Sequence, residues 1–147
     1  MLFLSCHPRC DYPKDYLEFT ELSSDRQHAE FRYFPIERQV DYYLYKMCAE
    51  PPGRDFVQDI AIRGEEVIPY LIKRIQKESN DYQKYDMLII FQDMQVYSVD
   101  LRHRRDVMDS LDLIVSQMKD SSSKKMGEDT IKFIRNYDPK QNRNPVR

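Results

Sequence analysis

Between residues 64 and 97 the apolar side chains fall at three- and four-residue steps, broken once by a short polar turn. Val67, Ile68, Leu71, Ile72 and Ile75 make the first series, and Tyr85, Leu88, Ile89, Phe91 and Met94 the second. That spacing lines one side of a helix. Ser79-Asn80-Asp81 between them offers turn and N-cap chemistry, and so short a connection makes the two helices antiparallel neighbours. The same period continues on both sides. It predicts helices over 35–49 (Ile36, Val40, Tyr43, Leu44), 54–63 (Phe56, Val57, Ile60), 65–78, 81–97, 103–119 (Val107, Leu111, Ile114, Val115) and 121–136 (Thr130, Ile131, Ile134). Pro51 and Pro52 end the first of these, because proline cannot extend a helix. Gly64 is placed to supply a left-handed stop before the third. The expected class is all-α, about six helices in three antiparallel hairpins, and a composition of only three glycines with no tryptophan suits it.

Residues 1–34 lack this period. Their aromatics, Tyr12, Tyr16, Phe19, Phe31, Tyr33 and Phe34, predict an irregular N-terminal arm laid over the first helices, with about one helical turn near 24–30. Residues 138–147 read as a polar, basic tail, which leaves 35–137 as the helical domain.

The stretch GEEVIPYLIKRIQKESNDYQKYDMLIIFQDM, residues 64–94, resembles a HEAT-type repeat. Its first helix carries a proline in its early turns, Val67-Ile68-Pro69, and its second ends in the bulky residues Phe91 and Met94. The other two hairpins share only the period of the repeat. Gln83-Lys84 stands where such repeats often open their second helix with Val-Arg, and Tyr85, Leu88 and Ile90 replace the small residues that let those helices approach closely. The resemblance implies hairpins stacked as a right-handed superhelix, a binding or scaffolding role through the exposed helix faces, and no shared catalytic residues to carry over. The N-terminal arm would then cap the stack.

Charge narrows the partners. The net charge of -2 gives no general attraction to nucleic acid. The balance shifts along the chain, with 6 basic against 9 acidic residues in 1–50, the same in 51–100, and 11 against 7 in 101–147. Arg102, Arg104 and Arg105 form the densest basic run, flanked by Asp100 and Asp106. This run either meets an acidic partner or pairs with those neighbours. Tyr42, Tyr43 and Tyr45 cannot all face the core of one helix, so Tyr42 and Tyr45 are candidates for a protein-binding surface unless the arm covers them.

Catalytic and metal chemistry find little local support. Cys6, His7, Cys10 and Cys48 lack the paired spacing of a zinc site, and Cys48 on an apolar face reads as a small core residue. His7, His28 and His103 are widely spaced, and three glycines cannot form a phosphate-binding loop. Glu65 and Glu66 diverge by roughly 100° around a helix and suit its start, where the helix dipole favours carboxylates.

The sequence thus predicts a non-catalytic, monomeric module that binds a protein partner and needs no metal or cofactor. Alternatives are an accessory, lyase-like enzyme and an envelope lipoprotein of the same fold. An immunity-type binder of a toxin is a further one. No apolar run is long enough to span a membrane. Taken from its first residue, the chain predicts a cytoplasmic protein. Phe3-Leu4-Ser5-Cys6 nevertheless resembles a lipoprotein processing box without its upstream portion, which would make Cys6 a lipid attachment site in the cell envelope. In that setting a disulfide between Cys6 and Cys10 becomes conceivable.

Overall fold

A computed structural model of the protein describes residues 11–49 and 56–142. All regular structure among them is helical, as the apolar period requires. The chain divides into two compact units, residues 1–56 and 57–147. The first unit therefore extends past the boundary expected after residue 34 and takes in the first long helix.

The first unit holds α1 (Lys14–Thr20), α2 (Ser24–Phe31) and α3 (Ile36–Cys48). As far as its residues are described, the arm expected over 1–34 holds two helices: α2 falls on the turn predicted near 24–30, and α1 is additional to it. Both are too short to display a helical period, yet each has something to bury. Tyr16 and Phe19 lie three residues apart on one side of α1, and Phe31 closes α2 with no exposed surface. Pro13 and Pro35 stand in extended conformation just before α1 and α3. Pro35 is thus the N-cap and not the first helical residue.

Aromatic rings make the core of this unit. Phe31 stacks on Phe56 at 4.3 Å between centroids, and Phe19 lies 5.0 Å from Tyr42 and 5.7 Å from Phe56. Tilted and edge-on pairs of this kind suit the ring quadrupole and add to the area they bury. Gln39 is fully buried on α3 and donates through Nε2 to the carbonyl of Phe31 at 2.7 Å, which fastens α3 to the end of α2.

The second unit holds α4 (Val57–Ala61), a 3-10 turn η1 (Gly64–Val67), α5 (Ile68–Lys77), α6 (Asp81–Tyr97), a second turn η2 (Leu101–His103), α7 (Arg105–Ser116), α8 (Ser121–Asn136) and α9 (Pro139–Asn142). Helices α6 and α8 have the ends that the sequence predicts, while 103–119 is shortened to α7 behind η2. The region read as a polar, basic tail begins with α9. Gly64 has φ +72°, the left-handed conformation expected of it.

Helix α6 lies at the centre of this unit. Met87 to Phe91 are five consecutive buried residues, joined by Met94 and Gln95, so α6 is covered on more than one side. It packs between α4 and α8, while α5 packs on α7. Gly127 lets α8 approach closely, since a Cβ there would sit 3.0 Å from Val115 Cγ2 and 3.4 Å from Leu88 Cδ1. Close helix approach is thus provided by one glycine on α8, where α6 itself carries Leu88 and Ile90.

Candidate protein-interaction surface

Helices α5 and α7 form the walls of a groove of about 390 Å³. Helix α5 contributes Ile68, Pro69, Ile72, Lys73 and Gln76, and Arg104, Asp106 and Ser110 contribute the other wall. The apolar face of α5 points inward at Leu71 and Ile75, both fully buried. This leaves Pro69 and Lys73, four residues apart, on the outer side of the helix with Ile72 half-buried beside them.

The basic run lies at the groove's end and along η2. Arg102 donates to both carboxylate oxygens of Asp100, through Nε at 2.9 Å and through an Nη at 2.8 Å, and reaches Asp138 at 3.2 Å. The guanidinium and the buried amide of Gln95 hold the Asp100 carboxyl well below the usual carboxylate range, and Asp100 in turn raises Arg102. Arg104 bridges Glu65 at 3.0 Å and Asp106 at 3.2 Å, so the two groove acids share one cation and Asp106 is held low by it. Arg105 is exposed and makes no ion pair among the described residues. Intramolecular pairing therefore takes up Arg102 and Arg104 and leaves Arg105.

A polar network behind η2 sets this geometry. Gln95, 1% exposed, donates through Nε2 to Asp100 at 3.1 Å and to the Tyr137 carbonyl at 2.9 Å. Its Oε1 accepts the Leu101 amide at 2.7 Å. One side chain on α6 thereby satisfies groups on η2 and at the end of α8, as a buried amide must. A second tie joins successive turns. Asn80 caps α6 by accepting the Tyr82 and Gln83 amides, which frees Asp81 to accept the Lys119 and Asp120 amides at 2.6 and 2.8 Å. Burial pushes the Asp81 carboxyl up, but those amides and Lys84 outweigh it and the net shift is downward.

The other predicted residues lie elsewhere. In the first unit Tyr42 is 2% exposed, with its ring 5.1 Å from Tyr16 and 5.4 Å from Phe34. Its hydroxyl donates to Asp15 at 2.8 Å and accepts from Arg38 at 2.9 Å, and burial raises its pKa. Tyr45 is half-buried against Tyr12 and Tyr16. Both tyrosines are therefore covered by the aromatics of the N-terminal region, the other of the two readings the sequence allows. Cys48 is half-buried and disulfide-bonded, so it is not the core thiol expected. Cys6, the candidate lipid site, and Cys10 lie outside the described residues.

His28 packs against Phe56 at 5.2 Å, and His103 is an exposed side chain 4.0 Å from Asp100. No group of three or more His, Cys, Asp or Glu among the described residues could hold a metal ion. No helix among them is long and apolar enough to cross a membrane. The sequence did not single out Lys73, Gln95 or Asp81 as working residues. Only Gln95 carried a visible signal, a polar side chain falling on the buried period of α6.

Compared with known proteins, the chain matches no family model, no curated protein and no solved structure.

Proposed function

We propose that this protein is a non-catalytic, HEAT-like scaffold that binds another protein as a monomer, through the exposed groove between α5 and α7. The observation that carries this reading is the groove itself. It combines a partly exposed apolar strip, Pro69 and Ile72, with a rim of charged and amide side chains. Protein interfaces have that composition, an apolar centre within a polar rim. Two features support the HEAT-like part. Helix α6 lies between α4 and α8 while α5 lies on α7, and Asp81 ties the turn of one hairpin to the turn of the next. Stacked hairpins in such repeats bind through surfaces of this kind.

The test is binding with the groove altered. Ile72→Asp together with Lys73→Glu changes the apolar strip and an exposed cation of the groove while sparing the fully buried residues. Partners captured by the unaltered chain and confirmed with purified components should be lost by the double variant, with its thermal midpoint little changed. Retention of every such partner would sink the groove as the binding surface. Sedimentation should give the mass of one chain.

A second reading, location in the cell envelope, is favoured by Cys48, because disulfides persist in oxidising compartments and are rare in the cytosol. Alkylation of native protein before any reductant should leave Cys48 unlabelled. Labelled Cys48 would favour the cytoplasm.

A further inference from the structure

The chain holds three cysteines, Cys6, Cys10 and Cys48, and Cys48 is disulfide-bonded. Within one chain its partner is therefore Cys6 or Cys10, and those two are not paired with each other. The ring contacts of the first unit bear on the choice. Phe19 on α1 lies 5.6 Å from Phe34 and 5.0 Å from Tyr42 between centroids. One turn earlier, Tyr16 lies 5.1 Å from Tyr42 and 5.0 Å from Tyr45, and ahead of the helix Tyr12 lies 6.1 Å from Tyr45. Each step toward the N-terminus thus moves toward the C-terminal end of α3. Cys48 comes next on that side, three residues after Tyr45 and half-buried in the last turn.

We propose that Cys10 is the partner, and that the Cys10–Cys48 disulfide is a clasp fastening the segment ahead of α1 to the end of α3, with Cys6 left as the single thiol. Only Asp11 separates Cys10 from Tyr12, so Cys10 continues the aromatic row to its next position. Cys6 is four residues further on, up to about 14 Å of extended chain. To meet Cys48 it must fold those residues back over α3, at a cost in chain entropy that Cys10 does not incur. Closing the bond removes two protons and two electrons from the thiols, which pass to a disulfide donor that is reduced to its dithiol. Oxidising compartments supply such donors, so the clasp shares a setting with the envelope reading. The choice between Cys6 and Cys10 does not depend on that reading.

Trypsin separates the two candidates, because Arg9 lies between them. The purified full chain is equilibrated with oxidised and reduced glutathione, alkylated, digested and mapped by mass spectrometry. Peptide 10–14 should be linked to peptide 47–54, with Cys6 outside the link. A link from Cys6 to Cys48 or to Cys10, or no link at all, would overturn the clasp. The compartment is read separately, by the alkylation of native protein described above. Thermal melts test the fastening. Oxidised Cys6→Ser should melt as the unaltered chain does, and Cys6→Ser with Cys10→Ser about 5–15 °C lower, a difference that added reductant should erase. Equal midpoints for the two variants, or a drop of that size from Cys6→Ser alone, would refute the clasp.

Discussion

Asp81 shows how one side chain can hold two segments far apart in sequence. Its carboxylate accepts two backbone amides from the turn before α8, and Lys84 lies 3.2 Å away. Asp81→Ala leaves those amides without their partner and should cost about 1–3 kcal/mol, read from the urea midpoint. Asp81→Asn keeps one acceptor oxygen and should cost less. Gln95 is the stricter case, because it is buried together with its Leu101 partner. Gln95→Met preserves the volume but strands the Leu101 amide, and should be destabilising by about 1–3 kcal/mol in the same measurement. The sequence made neither role legible. Ser79-Asn80-Asp81 announces a turn, but which of its residues caps and which reaches across depends on where the next turn lies in space.

At the scale of elements, the long helices were legible in full, α2 and α4 in part, and α1 not at all. Helices α6 and α8 span four turns or more, enough to repeat their apolar period, and their ends match the pattern. Helices α1 and α2 have 7 and 8 residues, so the buried side of each shows only one or two large side chains. Their stability comes from ring packing against α3 and Phe56, which no local pattern encodes. The α5–α7 groove was legible only at Arg104, since which helices form its walls depends on how segments far apart in sequence pack. Gly127 gives the element-scale prediction. Alanine gains helix propensity there, but its Cβ would press on both methyls of Val115, a side chain with little rotamer freedom. Gly127→Val should therefore lower the thermal midpoint clearly, and Gly127→Ala by less.

For the whole molecule the acid-side behaviour follows from its paired carboxylates. Asp100 is held low chiefly by Arg102, Asp138 chiefly by the Lys140 amide, and Asp106 chiefly by Arg104. Each is depressed in the folded state, so the unfolded chain takes up protons first as pH falls below about 4. The stability these groups contribute is present above that pH and is lost as pH falls toward their folded values. Urea midpoints measured from neutral pH downward should therefore drop below about pH 4, and Asp100→Asn should show a shallower drop. Tyr16 acts at the other end. Burial raises its hydroxyl to about 12, so its contribution is present below about 10 and fades as pH rises through 12. An absorbance titration should show one tyrosine ionising later than most of the others.

The bond from Gln95 to the Tyr137 carbonyl spans 42 residues and so has a consequence in time. A chain emerging from the ribosome exposes α6 well before residue 137 leaves the exit tunnel. Until then the amide at the centre of the second unit has only part of its final set of partners. Release of the C-terminal end of α8 is then the event that completes this set of partners. A stop codon placed shortly before residue 137 would deny that amide one of its acceptors and leave a less stable chain in which every helix up to α8 is still encoded.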